Sequence, residues 1–490
     1  MSSKIEAWAL SRALCRGRAI LTGGGAKFLR DLSFLVSGQI AAKLIGFLAF
    51  AYLARKIDPE SYGAVEFIIG LAGLFSTMAD LGLGTIGIRR AVAAPGERPL
   101  LAAQISVIRF CIAFVSAVIM IMTVSATTNS PILHNLVLLY AASLVVGAWY
   151  REWLLQSAAL MAQVAFAQIL RMAVFLLVIA LLVRDSDDAV LVGWGEIAAV
   201  SAAAAYSLYV QQNKVGPVRF LARGNKKDLI REAVPVGLSS AIWTAAQYAP
   251  LFLMGAIVGG SDTGIFAAAN RLVASLATFS FVYHFNLYAA AVRAQDQTAL
   301  VKLMRNSFRV VAWATIGGAL GISLAARPIL EIFFGPDFAS AAPALAVLIW
   351  TVPVMFLSGH VRWSLILAKL ELAVFFAQLV GLVTVGVLGF VLVHLCADIG
   401  AATAALAGGL AVWGTSYAFA LVHGIPTPPL SLLVKPLTLA LALGFSAQAL
   451  ALDPWVGACA ALVLYLSSAP ILDRVLISAR PASAEREGAD

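Results

Sequence analysis

The sequence predicts an all-α integral membrane protein of fourteen transmembrane helices, built as two six-helix lobes followed by two C-terminal helices. Three observations predict it. Of the 490 residues, 61% are hydrophobic and only 12% charged, about half the charge of an ordinary soluble domain. Apolar runs of about 20 residues, the length that crosses a bilayer as a helix, recur along almost the whole chain. The basic residues alternate in side. With the N-terminus inside, 24 of the 34 Lys and Arg fall in cytoplasmic segments and four (Arg55, Lys56, Arg184, Arg327) in external ones. That is the positive-inside bias, and one missed helix would invert every later loop and erase it. The composition excludes a soluble enzyme, a nucleic-acid binder and a secreted module. The net charge of +9 is read as a topology signal.

Taken in order, residues 1–30 form a basic cytoplasmic tail with no apolar stretch long enough for a signal peptide. The N-terminal lobe, 31–210, holds spans 32–54, 62–80, 105–124, 136–157, 164–183 and 190–210. A basic cytoplasmic linker occupies 211–233. The C-terminal lobe, 234–423, holds spans 235–258, 264–287, 310–324, 342–367, 374–393 and 400–422. Residues 424–472 supply spans 432–450 and 455–472, and 473–490 return to the cytoplasm. Both termini are therefore expected inside. Cys15, Cys111, Cys396 and Cys459 lie far apart, without the spacing of a metal site or disulfide frame.

The two halves resemble each other. Ala165-Phe166-Ala167-Gln168 lines up with Phe375-Phe376-Ala377-Gln378, and the same offset pairs Trp153 with Trp363. Glu60-Ser61-Tyr62-Gly63, before span two, matches Ser261-Asp262-Thr263-Gly264 before span eight, and Pro131-Ile132-Leu133 echoes Pro328-Ile329-Leu330. Six spans per half make the repeats parallel, related about an axis along the membrane normal. Two matched bundles with a site between them is the logic of a transporter.

A charge near the bilayer centre costs about 3 kcal/mol on insertion scales, so residues kept there tend to be functional. Lys43 lies close to the middle of its span, with Gln39 a turn before and Gly46 a turn after on the same helical face. In the repeat register span seven places Ser240 and Thr244 at the equivalent positions, with Gln247 continuing the face. A hydrated cavity between the lobes explains both stripes; a lysine paired to an acid or to helix carbonyls is the structural alternative. Arg271, beside Asn270, and Arg362, near His360 and Ser364, are the next candidates. Arg109, Arg151 and Arg171 are near enough to the cytoplasmic face to snorkel. Glu66, Asp80, Glu152 and Glu196 sit near helix ends, as counter-ions, caps or carriers of a coupling proton. More deep cations than deep acids point to an anionic ligand, since arginine forks onto phosphate and lysine offers a point charge.

Other patterns carry no chemistry. Gly82-Leu83-Gly84-Thr85-Ile86-Gly87 fits a dinucleotide fingerprint but follows a membrane helix, not a strand. Gly23-Gly24-Gly25-Ala26-Lys27 lacks the spacing and hydroxyl of a P-loop. The five histidines are scattered, and the external loops are too short to assemble a catalytic constellation.

The 6+6+2 layout, together with Leu53-Ala54-Arg55-Lys56-Ile57-Asp58-Pro59-Glu60-Ser61-Tyr62-Gly63, Gly264-Ile265-Phe266-Ala267-Ala268-Ala269-Asn270-Arg271, Phe334-Gly335-Pro336-Asp337-Phe338 and Trp153-Leu154-Leu155-Gln156, resembles the polysaccharide-export (Wzx-type flippase) branch of the multidrug/oligosaccharidyl-lipid/polysaccharide exporter superfamily. The resemblance covers about residues 31–472. It implies a V-shaped pair of lobes working by alternating access and no enzyme activity. The implied cargo is an undecaprenyl-diphosphate-linked oligosaccharide, carried across a bacterial inner membrane for surface polysaccharide assembly. It implies no cofactor, with an H⁺ or Na⁺ gradient as energy source, and a polysaccharide polymerase and chain-length regulator as partners beside the lipid-linked glycan. Added to the reading of the residues, the diphosphate is expected at Lys43, Arg271 and Arg362, flanked by Gln39, Asn270, Thr244 and Gln247. A multidrug-type small-molecule antiporter is the alternative. The tail before Asp31 is longer than the resemblance leads one to expect, which raises a translation start after Met1.

Overall fold

The computed structural model describes residues 25–218, 226–292 and 296–473. The expected N-terminal tail up to residue 24, residues 219–225 of the basic linker and the C-terminal tail after 473 lie outside the described residues. Everything described is helix, turn or connector, with no strand.

Each of the fourteen expected spans is occupied by helix. In the N-terminal half these are α1 (Gly25–Ala54), α2 (Pro59–Asp80), α4 (Arg98–Thr127), α5 (Pro131–Gly147), α7 (Met161–Leu182) and α8 (Leu191–Lys214), with short helices α3 (Leu83–Ala93) and α6 (Glu152–Ser157) between them. The C-terminal half has α9 (Lys226–Ile257), α10 (Gly260–Val292), α11 (Gln297–Leu324), α12 (Ala326–Phe333), α13 (Ala342–Leu348), α14 (Thr351–Leu367) and α15 (Glu371–Val422). The chain closes with α16 (Val434–Ala449) and α17 (Pro454–Leu472). Eleven of the described helical segments are long and apolar enough to cross a membrane. The 52-residue α15 is two spans in one. Cys396 and Ala397 leave helical geometry and reverse the chain, so that Gly381 meets Val412 and Gly408 meets Val385 across the hairpin. Ala397 is the strained residue there, at φ 43° and ψ −117°, a conformation that costs a side-chain-bearing residue about 1–2 kcal/mol. Ala397→Gly is therefore expected to raise stability by about 1 kcal/mol, read as a later thermal unfolding transition in detergent.

Helix starts follow the sequence. Asp58 caps α2 by accepting from the Ser61 amide at 2.7 Å, with Pro59 in the first turn. Pro131 and Pro454 open α5 and α17 in the same way. The two halves also pack alike. α1 lies along α7, Gly38 against Ala165 and Gly46 against Met172, as α9 lies along α15, with Leu253 against Gly389. α16 and α17 pack outside the C-terminal lobe on α11, where Tyr465 fills the space over Gly317 and stacks near Trp313 at 5.1 Å. The outer faces carry exposed Phe114, Met122, Leu181, Val387, Phe445 and Val463, the surface a lipid phase accepts. Cys111, Cys396 and Cys459 are free thiols.

The lobes meet chiefly through α2, which packs on both α9 and α10. At one end, expected to be the external one, Gly63 of α2 touches Gly264 of α10, and a methyl group on Gly264 would fall 1.7 Å from the Pro59 carbonyl oxygen. These two glycines are partners in the repeat register, so the approximate symmetry axis runs through their contact.

Candidate functional site

Beneath the Gly63–Gly264 contact lies a buried ion pair between the lobes. Glu66, 4% exposed, accepts from Arg271 through both oxygens, Nε to Oε1 at 2.8 Å and Nη2 to Oε2. The Tyr62 hydroxyl, one turn earlier on α2, donates to the same Oε1 at 3.0 Å. The Arg271 guanidinium lies over the Phe50 ring of α1, 3.8 Å from its centroid. Two helices, α1 and α2, thus converge on the one arginine of α10, by a ring face and by a carboxylate fork that the Tyr62 hydroxyl also holds. Above it, Arg55 donates to the carbonyls of Ile332 and Phe333, and Phe47, Tyr62, Phe334 and Phe338 pack edge to face. At this end the lobes are closed against each other.

Lys43 is about two α1 turns from Phe50, toward the start of the helix. Its side chain is exposed at the surface of the bundle, within Coulombic range of Arg271 and Arg171. Among the described residues it forms no ion pair, so the structural alternative of a lysine zipped onto a carboxylate is not what the fold contains. Gln39 is half-buried on the same helix, and Leu44 and Leu48 beside them are 52% and 55% exposed. Cation, amide and apolar surface adjoin.

The equivalent face of α9 is closer to the lobe interface. Thr244 is buried and shares a 3.3 Å hydroxyl–hydroxyl hydrogen bond with Thr77 of α2, while Gln247 is exposed. Asn270 is half-buried beside Arg271. Arg362 stands apart. It is half-buried on α14, where its charge acts on His284 of α10, and it is not among the cations whose charge acts on Lys43. Its neighbour His360 is fully buried, meeting the Tyr283 hydroxyl at 3.0 Å and the Ser307 hydroxyl at 3.3 Å. The structure therefore brings Lys43 and Arg271 together and leaves Arg362 elsewhere in the C-terminal lobe.

The acids take distinct roles. Asp80, the last residue of α2, pairs with Arg109 of α4 and accepts from the Gly84 amide at 3.2 Å. Glu196 pairs with Arg171. Glu152 accepts from Gln156 at 2.9 Å and Gln168 at 2.8 Å. None of the three arginines expected to snorkel does so freely. Arg109 and Arg171 turn inward onto carboxylates, and Arg151 is fully buried, donating to Ser106 at 3.0 Å and Gln211 at 2.6 Å. The polar residues that receive it, Ser106, Ser207 and Gln211, come from helices too far apart in sequence for a one-helix reading to join them.

At the opposite end Glu232, before the first apolar turns of α9, clasps Arg89 at 2.8 Å and Arg90 of α3. Hydrogen bonds from Arg90 and then Arg89 hold its carboxyl below the usual range. The clasp is therefore present at neutral pH and is lost as pH falls through that lowered value. Beside it Gly82 meets Ala233 and Gly237. α2 and α3 thus touch the second lobe at both ends.

Comparisons with known proteins fit this geometry. The profile described as "Polysaccharide biosynthesis protein" matches residues 28–283, more than half of the chain. No curated protein sequence matches significantly. Among solved structures, the lipid II flippase MurJ in an inward closed conformation superposes with a TM-score of 0.73 at 12% identity, covering 90% of this chain and 99% of that one. An inward-facing multidrug resistance MATE transporter of the MOP superfamily gives 0.64 at 12% identity, covering 80% and 98%. A MATE protein in complex with MaD5 gives 0.58 at 13% identity, covering 82% and 97%. At such identities the likeness establishes the fold, the two-lobed MOP flippase architecture.

Proposed function

The chain belongs to the polysaccharide biosynthesis protein family, and we propose that it is the flippase of that process. In this reading it moves an undecaprenyl-diphosphate-linked oligosaccharide from the cytoplasmic to the periplasmic leaflet of a bacterial inner membrane, by alternating access of its two lobes. The cargo feeds a surface polysaccharide such as O-antigen, exopolysaccharide or capsule, with a polymerase and a chain-length regulator acting downstream. The positive-inside pattern supports cytoplasmic termini.

One observation carries the substrate class. Lys43 is accessible at mid-depth, without a carboxylate partner among the described residues, in the field of Arg171 and Arg271. One unneutralised cation, Lys43, beside apolar Leu44 and Leu48 suits an amphiphile with a diphosphate on a hydrocarbon chain. The diphosphate would sit at Lys43 with Gln39 as hydrogen-bond donor, and the prenyl chain would leave between the lobes into lipid. Arg271 is the second cation of the site, available once Glu66 releases it. A small-molecule antiporter shares the fold, but a drug cation would be repelled by this field and calls for an unpaired deep carboxylate in its place.

Lys43→Ala, at unchanged membrane levels, is expected to reduce surface polymer at least tenfold in cells relying on this protein, while Lys43→Arg retains most of it. Loss of one charged hydrogen-bonding partner of phosphate is worth about 1.5–3 kcal/mol, which supports a factor of that size. Full polymer production by Lys43→Ala would remove the diphosphate site from the proposal. Resistance to cationic drugs conferred without any effect on polymer would favour the antiporter.

A further inference from the structure

A groove of about 550 Å³ runs between α10 and α11, at the end of both helices expected to face the cytoplasm. Tyr283 of α10 forms one wall. The other is a single face of α11, running from Ala299 through Lys302 and Asn306 to Val310, and steps of three and four residues keep these side chains in line. α11 packs chiefly on α14, α16 and α17, so the groove belongs to the C-terminal lobe. Tyr283 is also about 18 Å along α10 from Arg271, which separates the groove from the ion pair between the lobes.

The groove is polar at its mouth and apolar further in. Lys302 is exposed and Asn306 half-buried, and neither side chain has a hydrogen-bond or ion-pair partner among the described residues. The two hydroxyls along the wall are already engaged, Tyr283 and Ser307 both meeting His360, at 3.0 and 3.3 Å. Deeper in, Val310 is 53% exposed and Val311 continues the lining. Lys302 and Val310 are about 12 Å apart along the helix. The headgroup layer on one side of a bilayer is about 5–7 Å thick, so a groove with its lysine in that layer has its valines in hydrocarbon. The acids of this segment are committed elsewhere. Asp296 caps α11 by accepting from the Ala299 amide at 2.7 Å, and Asp473 holds Arg309 at 3.2 Å. Arg305, one turn from Lys302, is exposed and adds a second cation without an ion pair among the described residues.

We propose that this groove binds a phospholipid with an anionic headgroup from the surrounding leaflet, its phosphate at Lys302 and Asn306 and an acyl chain along Val310 and Val311. Water does not fill apolar surface that lies in hydrocarbon, so a lipid chain covers the inner half. The mouth decides which lipid. Basic side chains at a membrane surface favour an anionic headgroup over a zwitterionic one by about fivefold for each charge. The Asn306 amide donates to the same phosphate, which fixes the headgroup at one place where a surface lysine alone would only attract it.

Native mass spectrometry of the detergent-purified protein, titrated with dioleoyl phosphatidylglycerol or dioleoyl phosphatidylethanolamine, tests the site without any cargo. The wild type is expected to bind one phosphatidylglycerol at least fivefold more tightly than phosphatidylethanolamine. Lys302→Gln, at an exposed position, is expected to remove most of that preference and to leave phosphatidylethanolamine binding unaltered, while Lys302→Arg keeps it. Val310→Trp, which fills the apolar half, is expected to weaken both lipids with the thermal unfolding transition unchanged. Equal binding of the two lipids by the wild type overturns the proposal, as does a preference for phosphatidylglycerol undiminished in Lys302→Gln. Glycerol phosphate binding as tightly as the lipid would make this a site for free phosphate. Displacement of phosphatidylglycerol by undecaprenyl phosphate at equal concentration would assign the groove to the cargo. Either of these results also overturns the proposal.

Discussion

Glu66→Ala is expected to lower the stability of the closed protein by about 3–5 kcal/mol, the cost of leaving a buried cation without its partner. Arg271 would then stand beneath the external contact with only the Phe50 face and water to hold it, in the field of Lys43. Removing both charges should cost less than removing Glu66 alone, because the stranded charge disappears with them. The Glu66→Ala/Arg271→Ala double variant is therefore expected to recover part of the lost stability, and a double-mutant cycle on thermal unfolding in detergent measures the coupling. Additive effects of the two substitutions would mean the bidentate pair contributes nothing. The functional consequence follows from the position of the pair. Its partners sit on opposite lobes, so opening the external end has to separate them, and a diphosphate arriving at Lys43 offers Arg271 a replacement anion of the same forked geometry.

Gly264→Ala is expected to open the external end. The new methyl group would meet the Pro59 carbonyl oxygen at 1.7 Å and the Gly63 amide nitrogen at 2.9 Å, and both are backbone atoms that no rotamer change can move aside. Overpacking of this kind costs about 1–3 kcal/mol, which shifts a two-state equilibrium by about 5–150-fold. The shift is directional, since only the externally closed arrangement brings these atoms together. A cysteine at Ser61, 3% exposed in the closed arrangement, reports it in a background with the native cysteines replaced. A membrane-impermeant thiol reagent is expected to label Ser61→Cys several-fold faster when Gly264→Ala is also present. Unchanged labelling, with an unaltered unfolding transition, would show that the glycine contact does not govern closure.

Legibility from sequence followed the range of the interactions. The helices that could cross a membrane were visible because a bilayer imposes a length and an apolar composition on every crossing element, and these are local properties; eleven of the described segments meet both. Lys43 was visible for the same reason, being a charge where the local environment should forbid one. The repeat was visible at Gly63 and Gly264, and their sequence match anticipates that they meet. Arg271 was found as a cation, but Glu66 as its partner was not, since nothing in α2 alone chooses between Arg271 and a capping role. Arg151 was expected to reach for the interface and is instead enclosed. Its position near a helix end was legible, whereas Ser106 and Gln211, which satisfy it, come from two other helices. Gln168 carried a signal that was noticed for another purpose, as part of the repeated Ala165–Gln168 segment, and its bond to Glu152 across the α6–α7 turn gives that signal a chemical content.

By itself the sequence determined that this chain is a two-lobed bundle of membrane helices with a cation kept at mid-depth. Hydrophobic length, the side of the basic residues and the burial cost of a charge all act within one helix. Only the tertiary structure decided which charges neutralise one another. Ion pairing depends on a few ångströms between helices distant in sequence, and it is this pairing that leaves Lys43 unpartnered, locks Arg271 and sets Glu152 among amides.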